Sequence, residues 1–168
     1  PATLASSLHL MQQIEAHNQV EGNQPIEPPT ILVLEKGASG GEHVLSGGVM
    51  NPKAIRELVP DFEEQGFPTE YVCDYAGFWL FHSKGKMSLP APPNFRKEGY
   101  HVVSLSKVTQ WLAERCEAAG IEIYPGFAGD ELLIENDRVV GVRTGDMGID
   151  KEGNPKPTFQ PGMDILAK

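Results

Sequence analysis

A carboxylate and a glycine-rich loop follow each other in the segment ILVLEKGASGGEHVLSGG, which spans residues 31–48. The apolar run from Ile31 to Leu34 predicts a buried parallel strand, and Glu35 stands where that strand ends. A carboxylate at the carboxyl edge of such a sheet can hold the ribose hydroxyls of a dinucleotide. The glycines allow the backbone to approach a ligand and to adopt positive φ. The pattern therefore predicts the ribose-binding half of a dinucleotide site.

The other half of such a site is a strand followed by a G-x-G-x-x-G turn that opens a helix. The sequence opens on Pro1-Ala2-Thr3-Leu4, and its first residues carry an amphipathic helical stripe. The stripe consists of Leu4, Leu8, Met11 and Ile14. We expect a helix that starts inside the glycine motif, joined to the Ile31 strand by a polar loop over residues 18–30. This arrangement predicts a fragment of a larger flavoprotein whose first strand precedes Pro1.

Composition limits the function classes. The 168 residues are 40% hydrophobic and 22% charged, as in ordinary globular domains. A net charge of -9 argues against a nucleic-acid partner, which requires clustered lysines and arginines, but it leaves a local membrane-binding patch possible. Cys73 and Cys116 lack the spacing of metal ligands, so we expect buried free thiols and no metal site. No apolar run approaches the ~18 residues of a spanning helix.

The remaining sequence predicts alternating short elements. A short helix follows Asn51-Pro52, and the acidic connector over residues 60–68 reads as a solvated segment. A longer helix is predicted with Ser106 as N-cap and Gly120 just past its end. Further strands are predicted over residues 100–103, 121–123, 131–134, 138–142 and from residue 163, with a turn at Asn136-Asp137 and a long polar loop over residues 145–157.

An aromatic hairpin is predicted from Phe78 to Leu89. One interpretation places its rings and the tip residues Lys84 and Lys86 at a membrane surface, with the rings at headgroup level and the amines near anionic lipid. The alternative is that Phe78, Trp79 and Phe81 form the core of a small sheet, since aromatic strands usually pack inward.

Several segments together carry a family resemblance. They are LEKG-x-x-x-GG-x-H-x-LSGG, NPKA, PDFEEQGFP, WLAERCEAAGIEIYPGFAGDELL, VVGVRTGDMGIDKEGNPKPTF and GMDILAK. Over essentially its whole length the sequence resembles the flavin domain of electron transfer flavoprotein–ubiquinone oxidoreductase. The resemblance implies a peripheral membrane enzyme with FAD and a [4Fe-4S] cluster, whose cluster ligands lie outside this sequence. Its implied partners are electron transfer flavoprotein, ubiquinone and a membrane surface, either the bacterial cytoplasmic membrane or the mitochondrial inner membrane.

The resemblance also implies site residues, all of them cofactor-binding and none catalytic. Pro1, Ala2 and Thr3 match the end of the glycine fingerprint, where Thr3 replaces the usual glycine. Glu35 and Lys36 match the ribose-binding position, and Phe127 and Ala128 match the segment whose backbone meets the adenine. The loop beside the flavin is matched by Gly40, Gly41, His43, Ser46 and Gly47. For His43 two interpretations stay open, a hydrogen bond near the cofactor and simple loop packing.

The predicted fold class is α/β with α+β insertions. It is an incomplete Rossmann-like FAD-binding domain of the glutathione-reductase type with a small β-rich insertion facing the quinone and the membrane. The FAD-binding domain covers residues 1–77 and 100–168, and the insertion covers residues 78–99. Two alternatives differ in function: a geranylgeranyl reductase-like or monooxygenase-like FAD enzyme of the same architecture, and a folded fragment with neither cofactor nor activity.

Overall fold

A computed structural model describes residues 1–45 and 47–167. Within these residues the helices are α1 Ala2–Gln19, α2 Lys53–Leu58 and α3 Leu105–Ala118, with a short 3-10 turn over Pro93–Phe95. The strands are β1 Leu32–Glu35, β2 Gly48–Met50, β3 Thr69–Val72, β4 Phe78–His82, β5 Gly85–Leu89, β6 His101–Val103, β7 Glu122–Pro125, β8 Gly129–Glu135, β9 Arg138–Thr144, β10 Met147–Ile149, β11 Pro155–Gln160 and β12 Asp164–Leu166.

The predicted parallel strand is confirmed. β1 pairs in parallel with β7, in a register that runs from Leu32 opposite Glu122 to Glu35 opposite Pro125. Helix α3 precedes β7 in the chain and packs against it, and α1 packs on α3. The carboxyl ends of the two strands therefore meet at one edge, as in every parallel pair.

The core lies between α1, α3 and the connector over residues 60–68. Phe62 is 1% exposed and Phe67 7% exposed, and Phe67 meets Trp111 of α3 edge-to-face at 5.2 Å between ring centroids. The indole of Trp111 also donates to the Gln65 carbonyl at 3.0 Å. The prediction of a solvated connector is thus right for its acidic side chains, which are exposed, and wrong for its two phenylalanines. The burial of these two phenylalanines could not be predicted from the sequence, because the acidic connector is irregular and has no helical or strand periodicity.

Helix α3 starts earlier than predicted. Its N-cap is Ser104, whose backbone is extended (φ −86°, ψ 116°) and whose carbonyl accepts the Val108 amide at 3.0 Å. The prediction of Ser106 as N-cap is therefore wrong, since Ser106 lies inside the first turn of the helix. The C-terminal prediction is confirmed, because Gly120 has φ +81° directly after the last turn.

The remaining strands of the described chain pair in antiparallel fashion. They form the sheets β2-β6-β3 and β12-β9-β8 and the hairpins β4-β5 and β10-β11. The predicted β8-β9 hairpin is confirmed, and Asn136 and Asp137 both adopt positive φ in its turn. The predicted loop over residues 145–157 is wrong, because β10 and β11 pair across a turn in which Asp150 accepts the amides of Glu152 and Asn154. Those backbone amides hold the pKa of Asp150 below its usual range.

The aromatic hairpin is formed as predicted, with Ser83-Lys84 as its turn. Its rings are exposed: Phe78 by 42%, Trp79 by 41% and Phe81 by 73%. The alternative of a small aromatic core is therefore wrong in this structure. The Nζ atom of Lys86 lies 4.7 Å from the Trp79 ring centroid, a distance suited to a cation–π contact.

The two cysteines differ in environment, which predicts different reactivities. Cys116 is 0% exposed, its thiol donates to the Leu4 carbonyl at 3.3 Å, and burial raises its pKa to about 11. Cys73 is half-buried. At pH 8 Ellman's reagent should modify Cys73 first and Cys116 at least roughly a hundredfold more slowly, because little of the Cys116 thiol is ionised below its raised pKa.

The variants Cys73→Ser and Cys116→Ser assign the fast and the slow phase of the reaction with Ellman's reagent to their thiols. Unfolding in urea should abolish the difference between the two rates. The slow phase should accelerate as the pH rises from 8 toward 11, since the thiolate fraction then increases. Equal rates for both thiols in the folded chain would contradict the burial of Cys116.

Candidate nucleotide-binding site

Glu35 lies at the carboxyl end of β1 with its carboxylate folded back on the chain. Its Oε1 accepts the Gly37 amide at 2.6 Å, and the side chain is half-buried. Within the described residues no donor reaches its Oε2, which leaves an acceptor for a hydroxyl group. Gly37 makes this geometry possible, because a Cβ at that position would lie 3.2 Å from Glu35 Oε1 and 3.2 Å from Cδ2 of His43.

The segment after β7 meets Glu35 through the backbone. The Phe127 amide donates to the Glu35 carbonyl at 3.0 Å, and the Gly126 amide donates to the Gly37 carbonyl at 2.8 Å. The Ala128 carbonyl in turn accepts the Gly145 amide at 2.9 Å. The parallel pairing therefore brings Glu35, Phe127 and Ala128 together at one sheet edge, as expected for residues that contact one nucleotide.

The glycine-rich loop rests on helix α3. Gly41 is buried with φ +92°, and a Cβ there would lie 2.8 Å from the backbone oxygen of Ser106. Gly40 faces Ala113, with 3.7 Å between its Cβ position and the alanine Cβ. Close contact between loop and helix thus requires glycine at position 41, whereas the space at Gly40 would accept a Cβ.

The other loop residues are exposed. Lys36 and His43 are both exposed, and Cδ2 of the His43 ring lies 3.2 Å from the Cβ position at Gly37. Gly47 is exposed, has φ +95° and has open space around its Cβ position. Ser46, the remaining predicted loop residue, lies outside the described residues.

Pro1, Ala2 and Thr3 lie exposed at the start of α1. Their hydrogen bonds stay within the helix, where the Pro1 carbonyl accepts the Ala5 amide and the Thr3 carbonyl accepts the Ser6 hydroxyl. The neighbouring Leu4 carbonyl accepts the Cys116 thiol, which ties this end of α1 to α3. Helix α3 therefore contacts both the start of α1 and the glycine-rich loop, and it is the physical connection between the first three residues and that loop.

Three residues of this site were missed by sequence reasoning. Gly37 and Gly126 form a backbone hydrogen bond next to Glu35. Glu42 forms a hydrogen bond within the loop, in which its Oε2 accepts the Ala38 amide at 2.9 Å. The signal for Glu42 was present as Ser39-x-x-Glu42, the spacing of a capping box. Among the described residues, no group of three or more metal-ligating side chains comes together.

Comparison with curated proteins extends the sequence resemblance. The chain is 40% identical over 176 residues to electron transfer flavoprotein-ubiquinone oxidoreductase of Pseudomonas aeruginosa, covering 100% of this chain and 30% of the relative. It is 39% identical to the mitochondrial protein of that name from Arabidopsis thaliana and 34% identical to that from Homo sapiens, in both cases over 100% of this chain. The chain is homologous to these oxidoreductases from end to end. The resemblance drawn from the motifs is thereby confirmed.

The chain spans only part of these relatives, 25% of the Arabidopsis protein and 26% of the human one. No protein-family model matches it. The homology therefore identifies the family of this segment. The activity of the full-length relatives is not assigned to the segment by this comparison.

Solved structures show the same fold at low identity. A geranylgeranyl bacteriochlorophyll reductase-like protein of Thermoplasma acidophilum matches with a TM-score of 0.54 at 15% identity, over 98% of this chain and 34% of that one. Thermovibrio ammonificans THI4 matches with a TM-score of 0.50 at 15% identity, over 100% of this chain and 50% of that one. These likenesses concern the fold alone, and they confirm the predicted Rossmann-like α/β class.

The contact between Gly41 and α3 can be tested against Gly47, which shares its backbone conformation. Both have positive φ, but only Gly41 has a backbone atom within 3 Å of its Cβ position. We expect Gly47→Ala to lower the free energy of unfolding by about 1 kcal/mol, from backbone strain alone. Gly41→Ala should lower it by about 2–4 kcal/mol, because overpacking adds to the strain. Urea denaturation followed by tryptophan fluorescence measures both, and equal losses would mean that the loop does not rest on α3.

Proposed function

We propose that this chain is an FAD-binding segment of an electron transfer flavoprotein–ubiquinone oxidoreductase. The observation that carries the proposal is the Glu35 carboxylate, held by the Gly37 amide at the edge it shares with Phe127 and Ala128. That arrangement suits a ribose hydroxyl and an adjacent adenine. Homology along the whole chain supports FAD over other dinucleotides.

The residues present fit the cofactor in four places. The Oε2 atom of Glu35 would accept a ribose hydroxyl, and the backbone of residues 127–128 would face the adenine. The N-terminus of α1 would direct its dipole toward the pyrophosphate, with Thr3 where a glycine is usual. His43 and Glu35 both lie within 3.2 Å of the Cβ position at Gly37, and the exposed His43 ring would hydrogen-bond to the cofactor. Bound FAD supplies the redox chemistry, and the protein supplies binding, orientation and electrostatics.

In the full-length enzyme the electrons would come from reduced electron transfer flavoprotein and pass by way of FAD and a [4Fe-4S] cluster to ubiquinone. The described residues do not fit the cluster, because Cys73 and Cys116 stand apart and no ligand group is formed. We therefore place the cluster ligands in another part of the parent protein.

The proposed membrane-facing and quinone-facing insertion is the region over residues 78–99. Its hairpin exposes aromatic rings, and the Phe78 ring lies 5.8 Å from the Phe95 ring at an angle of 46°. Lys84 lies in the hairpin turn, and Lys86 follows on β5, opposite Phe81. Exposed rings with basic residues suit the headgroup layer of a membrane. None of the helices in the described part of the chain is long and apolar enough to cross a bilayer. We propose peripheral attachment to the bacterial cytoplasmic or the mitochondrial inner membrane.

The role of Glu35 predicts a specific loss of FAD affinity. Glu35→Gln removes the charge from a hydrogen bond to the ribose, so the Kd for FAD should rise roughly tenfold to a hundredfold. Quenching of flavin fluorescence on titration with the chain measures this Kd. Glu135→Gln is the matched control, since Glu135 also ends a strand, β8, and should leave the Kd unchanged. Equal affinities of wild type and Glu35→Gln would refute the ribose contact, and a wild-type chain that binds no FAD would refute the cofactor site.

The hairpin predicts charge-dependent vesicle binding. The chain should cosediment with vesicles that contain phosphatidylglycerol more strongly than with phosphatidylcholine alone. The double variant Lys84→Glu/Lys86→Glu should weaken binding to the anionic vesicles at least about tenfold, because each lysine near the surface contributes about 1 kcal/mol. The double variant Lys151→Glu/Lys156→Glu carries the same charge change on the β10-β11 hairpin and should bind like wild type. Equal weakening in both variants would point to net charge rather than to this surface.

A further inference from the structure

The glycine-rich loop is bonded internally by a side chain that the family motif leaves unspecified. Glu42 spans the loop: its Oε2 accepts the Ala38 amide at 2.9 Å, and its Oε1 accepts the Ser39 hydroxyl at 3.3 Å. The Glu42 amide points back toward the Ser39 carbonyl, at 3.5 Å. One carboxylate thus closes the turn that separates Glu35 from His43.

Two neighbouring amides in this loop are bonded to two different carboxylates. Glu35 Oε1 accepts the Gly37 amide, and Glu42 Oε2 accepts the Ala38 amide. Hydrogen bonds to an ionised acceptor are shorter and stronger than neutral ones. The backbone direction between Gly37 and Ser39 is therefore set by carboxylates from both ends of the loop.

Helix α3 fixes the opposite side of the same loop. Gly41 lies against Ser106 and Gly40 faces Ala113, so the helix limits how the far end of the turn can move. Residues 38–39, at the other end of the turn, are exposed to solvent, and the Glu42 carboxylate accepts their hydrogen bonds. Without the Glu42 carboxylate this part of the loop would keep only the long backbone bond from the Glu42 amide to the Ser39 carbonyl and its covalent links to the strand and to the glycines that contact α3.

We propose that Glu42 is a positioning residue, which orders the loop before the cofactor arrives and so holds Glu35 and His43 in their binding arrangement. The inference rests on the proposed FAD site and deepens it. A loop that is already ordered loses less conformational entropy when a ligand binds, which raises affinity. Glu42 acts through the loop and makes no contact with the ribose in this scheme.

The test compares Glu42→Ala and Glu42→Gln in the full chain without and with FAD. Without FAD, hydrogen exchange of the Ala38 amide, followed by NMR, should be about tenfold faster in Glu42→Ala than in wild type. The Kd for FAD, from fluorescence quenching, should rise by a similar factor. Glu42→Gln keeps an acceptor oxygen for the Ala38 amide and should restore most of the protection and most of the affinity.

Glu64→Ala serves as the matched control, because Glu64 is an exposed glutamate of the 60–68 connector. It should change neither the exchange rate nor the Kd. Unchanged exchange in Glu42→Ala would overturn the proposal, and so would faster exchange with an unchanged Kd. Glu42→Gln that behaves like Glu42→Ala would overturn the role of the hydrogen bond to Ala38. A wild-type chain that binds no FAD would refute the proposed function, while the exchange data would still show whether Glu42 orders the loop.

Discussion

Parallel hydrogen bonding between β1 and β7 joins two segments that are far apart in sequence. Because parallel strands end at the same edge, the register that places Glu35 opposite Pro125 also places Phe127 beside Glu35. A register shift of one residue would turn the Glu35 side chain to the other face of the pair. The proposed nucleotide contacts therefore depend on this pairing more than on any single side chain.

Helix α3 supports both the strand pair and the loop. Trp111 and Cys116 face the core, while Ser106 and Ala113 meet the glycines of the loop. The turn at Gly120 then leads the chain directly into β7. Core stability and loop geometry are coupled through this one helix, so a substitution on its inner face will act on the site even where it contacts no ligand.

Sequence reasoning succeeded where a local pattern has one physical meaning. The apolar run before Glu35 forms the predicted parallel strand, although only Val33 of it is buried, and Asn136-Asp137 forms the predicted tight turn with positive φ. It failed where tertiary contacts decide. Phe62 and Phe67 are buried although they lie in a connector without periodicity, and Ser106 lies inside α3 against Gly41 instead of capping the helix. In the site, Glu35 and the loop glycines could be predicted, whereas the role of Gly126 depends on β7 lying beside β1.

The aromatic hairpin lies outside the buried core that supports the candidate nucleotide edge. The buried core cluster includes side chains of α1, α3 and the 60–68 connector, but none from β4 or β5. The hairpin side chains instead contact one another and Phe95, as the Trp79–Lys86 and Phe78–Phe95 pairs show. Contiguous exposed apolar side chains are typical of a contact surface, which is why the membrane contact is proposed for this hairpin. The proposed lipid contact and the proposed cofactor contact therefore lie on separate surfaces, because the hairpin contributes no side chain to the core that supports the β1-β7 edge.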